Sequence, residues 1–292
     1  MDTPSLLPAD AHCLDCGAPQ TGRYCQDCGQ QHLDGRLTLR SVWRDFAERF
    51  LKFERGLPAT ARLAVADPGR LAREYVRGRR RRYVNPVSFL LIGSAVAVLL
   101  IPLYASPERL LNDPGMGAQP GAAAGLDLGI RIAGGDPAAI TPEQRERILA
   151  EAAARQAEFV PVYISTVNQL YSVFSVVLAL AFAGFLKLFF SGRDQTDTFA
   201  ETLVLGLFFA GTYAALSAIA ASAVAQFDGT ILLGMAVTTG LLVAGAAWAA
   251  AGFYHRTWGA AALGAVSGIA ALVIYTVAIM AIALPIVILK LA

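Results

Sequence analysis

Four cysteines near the start of the chain have the spacing of a metal site. They form two C-x2-C-G units with eight residues between the second and third cysteines, and the predicted ligands are Cys13, Cys16, Cys25 and Cys28. Two residues between thiolates allow both sulfurs to point into one tetrahedral site, and the glycine that follows permits a tight turn. Zinc is the predicted ion, and two disulfides or a rubredoxin-like iron site are the alternatives. His12 and His32 flank the units but are expected at the surface, because four thiolates already fill the shell.

The predicted zinc has a structural role. A module of about twenty residues cannot bury a useful core, so the metal would supply most of its folding free energy. A full four-thiolate shell leaves no open position for a substrate, which argues against zinc catalysis. The chain also has three histidines only and lacks a phosphate-binding Gly-x4-Gly-Lys-[Ser/Thr] or a Gly-x-Ser-x-Gly motif. We therefore expect no catalytic residues and no enzymatic activity.

The rest of the chain has the composition of a membrane protein. Of its 292 residues, 55% are hydrophobic and only 16% are charged, which is more apolar than a soluble domain usually is. Residues 36–82 contain fourteen Lys and Arg against five Asp and Glu, a local net charge of +9. No signal peptide is expected, because the first thirty residues lack an apolar core region.

The chain enters the membrane after an arginine cluster, Arg77, Arg79, Arg80, Arg81 and Arg82. A run without ionisable residues follows, so a first transmembrane helix is predicted within 84–104. Asn85 can cap this helix and Pro86 suits its first position, so the helix should begin at Pro86. Arginines stay on the cytoplasmic side of a span, which predicts a cytoplasmic N-terminus.

Between the cysteine module, residues 1–35, and the first span, residues 36–83 are predicted to form basic amphipathic helices. Residues 37–53 place Trp43, Phe46 and Phe50 on one face with basic residues around them. This helix and the arginine cluster are predicted to contact anionic lipid at the membrane surface, and packing on the ends of the spans is the alternative. A second helical segment, 58–75, is interrupted by a turn at 67–69. Nucleic acid is a less favoured partner, because the positive-inside rule already explains the basic residues.

The segment 105–160 is acidic and predicted to be extracytoplasmic, with a helix near 141–159 that begins with a Thr141/Gln144 capping box. Residues 161–292 form a four-helix transmembrane region with spans near 164–187, 199–224, 231–253 and 259–289. Gly264 and Gly268 in the last span are predicted to permit close helix packing. The fold class is therefore an all-α multi-span membrane protein with about five transmembrane helices and a small N-terminal zinc-ribbon-like module.

Two motifs, Y-C-x2-C-G-Q and G-[KR]-R-x2-Y-x2-P, contain Tyr24, Gly29, Gln30, Gly78, Tyr83 and Pro86. With the further positions Thr60, Leu63, Pro68, Gly69 and Tyr75, they give residues 13–93 a resemblance to a bacterial membrane-protein family, domain of unknown function 3667. Arg79 stands where Lys is commoner in the second motif. The resemblance implies a cytoplasmic zinc ribbon on a multi-span anchor, and it implies no activity.

These observations favour a multi-pass protein of the bacterial inner membrane, with its N-terminus cytoplasmic and its C-terminus extracytoplasmic. Its expected role is that of an adaptor or scaffold whose zinc ribbon docks a cytoplasmic protein partner to the membrane. The alternative is a small transporter or channel for an uncharged or lipidic solute. The sequence leaves self-association open, because small-residue motifs serve both tight bundles and oligomers.

Reporter fusions test the predicted topology. Fusions at residue 20 should report the cytoplasm, and fusions at residues 130 and 292 should report the opposite side, because basic loop residues alternate to one side of the membrane. A cytoplasmic residue 130 would contradict the whole membrane map.

Overall fold

The computed structural model describes residues 12–20, 24–30, 56–112, 126–127, 130–131, 136–190, 198–227, 230–254 and 257–291. Regular structure in these residues is helical: α1 Leu57–Ala66, α2 Pro68–Val76, α3 Pro86–Tyr104, α4 Pro107–Asn112, a 3-10 turn Pro137–Ala139, α5 Pro142–Phe190, α6 Phe199–Gln226, α7 Ile231–Phe253 and α8 Trp258–Leu291. The amphipathic helix predicted at 37–53, with Trp43, Phe46 and Phe50, lies outside the described residues, as does His32.

Five of these helices, α3 and α5 to α8, are long and apolar enough to cross a membrane, by length and composition. Even the shortest, α3, has 19 residues, or about 28 Å at 1.5 Å per residue. That length matches a hydrocarbon core of about 30 Å. The predicted fold class, an all-α protein with five spans, is confirmed.

Local capping fixes the helix boundaries near the membrane entry. The Asn85 side chain accepts a hydrogen bond from the Val87 amide at 2.9 Å, so α3 begins at Pro86 as predicted. The turn predicted at 67–69 within the helical segment 58–75 lies at Asp67. Its carboxylate accepts from the Arg70 amide at 2.9 Å and caps α2, whose first residue is Pro68.

One long helix replaces two predicted elements. A helix near 141–159 and a separate span at 164–187 were expected, but α5 runs continuously for 49 residues through Pro161. A proline removes one backbone donor, and the strong helix formers before it, residues 150–158, favour the helix up to that point. The Thr141/Gln144 capping box forms as predicted, with hydrogen bonds of 3.0 and 3.3 Å. At about 1.5 Å per residue α5 exceeds the bilayer core, so part of it projects beyond the hydrocarbon.

The chain divides into two compact units. Unit 1 contains residues 1–94, 175–214 and 242–275. Its core is aromatic: the Phe208 ring lies 5.6 Å from Tyr75 and 5.7 Å from Phe89, and Phe182 lies 4.6 Å from Phe209, between ring centroids. Because Tyr75 belongs to α2, this non-spanning helix is anchored on α6 by edge-to-face ring packing.

Small residues bring the helices of unit 1 together. A Cβ atom on Gly268 would lie 2.7 Å from the Ala246 Cβ, and one on Gly264 would lie 2.6 Å from the Ala246 carbonyl oxygen. The predicted packing residues Gly264 and Gly268 therefore form the contact of α8 with α7 inside one chain.

Unit 2 contains residues 95–174, 215–241 and 276–292. Two basic side chains tie its segments together. The Arg109 guanidinium donates to the Ala225 carbonyl at 2.9 Å, near the end of α6, and Lys290 donates to the Thr166 hydroxyl at 3.1 Å. Cations at the C-terminal end of a helix satisfy its last carbonyls.

Candidate metal centre and its attachment

The four predicted ligands meet at one point. The Sγ atoms of Cys13, Cys16, Cys25 and Cys28 all lie within 4.8 Å of one another. The Cys13–Cys28 and Cys16–Cys25 pairs are 3.5 and 3.6 Å apart, so no disulfide joins them. A tetrahedron with metal–sulfur bonds of about 2.3 Å has edges of about 3.8 Å. The thiols can therefore hold one metal ion. His12 is exposed and is not part of the cluster.

The two halves of the cysteine module repeat one backbone turn. The Gly17 amide donates to the Cys13 carbonyl at 2.9 Å, and the Gly29 amide donates to the Cys25 carbonyl at 2.8 Å. Backbone N–H groups of Cys28 and Asp27 lower the pKa of the Cys25 thiol to about 7, against the effect of burial. Burial raises the pKa of the neighbouring Cys28 thiol to about 12, so a bound cation is needed for both sulfurs to be thiolates together.

Gln30, the last residue of the Y-C-x2-C-G-Q motif, attaches the cysteine module to the rest of unit 1. Its buried amide donates to the Gly78 carbonyl at 2.8 Å and accepts from the Arg81 amide at 3.0 Å. Both partners belong to residues 77–85, which connect α2 to α3 and which we call the arginine junction. The Gln30 side chain thus forms hydrogen bonds with the Gly78 carbonyl and the Arg81 N–H group, neither of which is paired within a helix.

Gly29 is required next to Gln30 for two reasons. Its φ is +69°, which disfavours other residues. A Cβ atom there would also lie 2.6 Å from Nη1 of Arg81. With no side chain in the way, that nitrogen donates to the Gly29 carbonyl at 2.9 Å. The two motifs of the sequence therefore contact each other, although about fifty residues separate them.

Gly78 ends α2 with a turn that directs its own carbonyl toward Gln30. Its φ is +108°, its amide donates to the Tyr75 carbonyl, and the Arg79 amide donates to the Glu74 carbonyl, both at 3.1 Å. This pair of hydrogen bonds is a Schellman motif, in which glycine is the usual residue at the left-handed position. The Gly78 carbonyl lies beyond the helix, where it accepts from the Arg80 amide at 2.8 Å and also from Gln30.

The arginines of the junction have different environments. Arg77, Arg79 and Arg82 are exposed, as expected for a membrane-surface role. Arg80 differs from that expectation, because it is only 5% exposed and its guanidinium lies 5.8 Å from the Tyr75 ring centroid. Arg81 is engaged with the cysteine module. Charge counting predicted a uniform cationic surface because it cannot distinguish a guanidinium over a ring from one in solvent.

Glu74, which the sequence reading did not single out, organises the base of the junction. The Tyr83 hydroxyl donates to its carboxylate at 2.6 Å, and the Arg70 guanidinium donates at 2.8 Å. Burial raises the pKa of Glu74, but these donors and the nearby charge of Arg79 outweigh it, so the pKa lies below its usual value. Burial and the bond to Glu74 raise the pKa of Tyr83 to about 12.

Thr60 connects α1 to the same junction. Its hydroxyl donates to the Gly56 carbonyl at 2.8 Å, and its oxygen accepts from the Val84 amide at 2.9 Å. Val84 is fully buried. The last residues before α3 are therefore fixed by side chains from α1 and α2.

A family model described as "Protein of unknown function (DUF3667)" matches residues 54–98. This segment contains α1, α2, the arginine junction and the first part of α3. The resemblance predicted from the sequence is confirmed there, and the cysteine motif lies outside the matched residues. Comparison with curated proteins and with solved structures found no match.

The Tyr83 and Glu74 pair makes a prediction about stability and pH. Tyr83→Phe should lower the free energy of unfolding by about 1.5–3 kcal/mol, the usual range for a hydrogen bond to a charged group. Because the pKa of Glu74 is lowered, this contribution is present above pH 4.5 and is lost as the pH falls through the lowered value. Denaturant unfolding of the purified protein measures it, and Tyr24→Phe, at an exposed tyrosine, is the control. Equal stability of both variants at pH 7 would contradict the assignment.

Gln30→Glu tests the attachment. The change places a carboxylate oxygen against the Gly78 carbonyl where an N–H donor lies now, so we expect the cysteine module to detach. Limited proteolysis should then cleave within residues 1–56 several times faster, with the metal content unchanged. Gln26→Glu, at an exposed position of the same module, is the matched control. If the Gln30→Glu variant resisted protease as well as the wild type does, the proposed attachment would be refuted.

Proposed function

We propose that the protein is an adaptor of the bacterial inner membrane, whose cytoplasmic zinc ribbon docks a protein partner to a five-span anchor. The observation that carries this proposal is the attachment of Gln30 to the arginine junction. A module held by several hydrogen bonds at the membrane entry presents a fixed surface, whereas a module on a loose tether does not.

The metal in this proposal is a single structural zinc. Four thiolates favour zinc or iron, and zinc fits a small module that needs a metal to fold. With all four positions occupied by protein, the site has no place for a substrate. Accordingly, we propose no enzymatic activity.

The proposed orientation follows from the arginine junction. Basic residues next to a span remain in the cytoplasm, so the cysteine module lies inside and the C-terminus lies outside. The exposed Arg77 and Arg82 are then at the level of the inner-leaflet headgroups, where they contact anionic lipid.

Two apolar side chains of the cysteine module are exposed and available to a partner. Leu14 is 53% exposed and Tyr24 is 57% exposed, while Gln30 of the same module is buried against the junction. Aromatic and aliphatic side chains on a rigid support are typical anchors of protein interfaces. We propose that the partner binds at Leu14 and Tyr24.

Elemental analysis tests the metal. The purified chain should contain one zinc, and Cys16→Ser should lose it and expose the module to protease while the membrane fraction still contains the protein. His12→Ala should retain the zinc, because His12 is outside the cluster. Iron in place of zinc, or two zinc ions per chain, would contradict the proposal.

Crosslinking in cells tests the adaptor role. Proteins captured by the full-length chain should be lost with Leu14→Ser/Tyr24→Ser, and they should be retained with Gln26→Glu, which is also in the module. Capture that is identical in both variants would place the partner elsewhere. Solute flux in liposomes that persists after deletion of residues 1–35 would favour a transporter over an adaptor.

A further inference from the structure

The four thiols of the cysteine module differ in their access to solvent. Cys13 and Cys25 are only 3% and 2% exposed, Cys28 is partly buried, and Cys16 is exposed. A small reagent in solution therefore reaches Cys16 before it reaches the others. A sulfur that ligates a metal is a thiolate, and thiolate character and exposure together determine how readily a cysteine is oxidised. Cys16 is thus the thiol at which an oxidant would react first.

A second thiol lies beside Cys16, in the other half of the module. The Sγ atom of Cys25 is 3.6 Å from that of Cys16, and the Cys25 side chain is shielded from solvent. Redox-sensitive sites commonly have this arrangement, in which an accessible sulfur is oxidised and a neighbouring sulfur completes a disulfide. Cys25 is therefore placed to trap an oxidised Cys16.

Cys25 is also connected to the attachment of the module. Its amide donates to the Gln30 carbonyl at 2.8 Å. The Gln30 side chain in turn forms hydrogen bonds with the Gly78 carbonyl and the Arg81 amide. Because the sulfurs of Cys16 and Cys25 must approach each other from 3.6 Å to form a bond, a disulfide between them would displace Cys25 and disturb Gln30.

We propose that Cys16 is a site of modification by hydrogen peroxide, and that its oxidation detaches the cysteine module from the arginine junction. The Cys16 thiolate attacks one peroxide oxygen, the O–O bond breaks, and a sulfenic acid forms on Cys16 while hydroxide leaves. The Cys25 thiolate then attacks the Cys16 sulfur, the S–S bond forms, and a second hydroxide leaves. Solvent protonates both hydroxides. Two thiolates thus lose two electrons, and one peroxide is reduced to two waters.

The disulfide removes half of the metal-binding shell. Only Cys13 and Cys28 remain as thiolates, which are too few for a closed four-ligand site, so the module loses the ion on which its folding depends. Reduction of the disulfide by a thiol regenerates all four ligands. This inference rests on the metal site of the proposed function and is independent of the protein partner.

Peroxide treatment of the full-length, zinc-loaded protein in micelles tests the proposal. Hydrogen peroxide should release zinc, measured with an indicator dye, and mass spectrometry of unreduced peptides should identify a Cys16–Cys25 disulfide. Proteolysis within residues 1–56 should become several times faster, and a thiol reductant with added zinc should restore the resistance. A dimedone trap for sulfenic acid, applied at short times, should label Cys16 before the other cysteines.

Cys16→His separates the exposed thiol from metal binding, because a shell of three cysteines and one histidine also holds zinc. This variant should retain its zinc in peroxide several times longer than the wild type does. Cys28→His is the matched control, since it keeps both Cys16 and Cys25, and it should release zinc as the wild type does. If either variant fails to load zinc, the order of dimedone labelling in the wild type decides.

Three results would overturn this inference alone: zinc release from Cys16→His at the wild-type rate, first labelling at another cysteine, or zinc release without faster proteolysis. An untreated wild-type protein without zinc would contradict the proposed metal site as well, so the two failures are distinguishable.

Discussion

Backbone groups between a helix end and a membrane must find hydrogen-bond partners, and this constraint organises the structure around the arginine junction. Gln30 pairs with the Arg81 amide and gives a second donor to the Gly78 carbonyl, which also accepts from the Arg80 amide. The Val84 amide is satisfied by Thr60. Unpaired buried backbone groups cost free energy comparable to a lost hydrogen bond. Because the partners come from the cysteine module and from α1, both help to order the segment that leads into the first span.

The arginines of the junction combine two roles that sequence analysis treats as one. A run of basic residues before a span sets its orientation. Arg80 and Arg81 also have structural partners, the Tyr75 ring and the Gly29 carbonyl. The cysteine module thus contacts the basic segment that precedes the first candidate span. The cysteine module and the arginine junction therefore form one connected part of unit 1.

Local signals predicted the helices well, and contacts distant in sequence could not be predicted. The charge-free run after Arg82 and the pair Asn85 and Pro86 set the start of α3, because capping depends on adjacent residues. The spacing of the cysteines likewise predicted the cluster of four thiols, because each pair lies within one short turn of the chain. No periodic pattern connects Gln30 to residues 78–81, and the burial of Arg80 depends on tertiary packing. The extent of α5 was not predicted: the helix near 141–159 and the span near 164–187 are separate elements in the sequence prediction, whereas α5 continues through Pro161.

Hydrogen exchange at the arginine junction tests the central claim, that the folded cysteine module holds the entry to the first span. The Arg81 amide donates to Gln30, so its exchange should be slow in the metal-loaded protein. Removal of the metal with a chelator should accelerate exchange in a peptide covering residues 78–82, while the part of α6 that belongs to unit 1, residues 199–214, stays protected. Exchange at residues 78–82 that is unchanged by chelation would contradict the account.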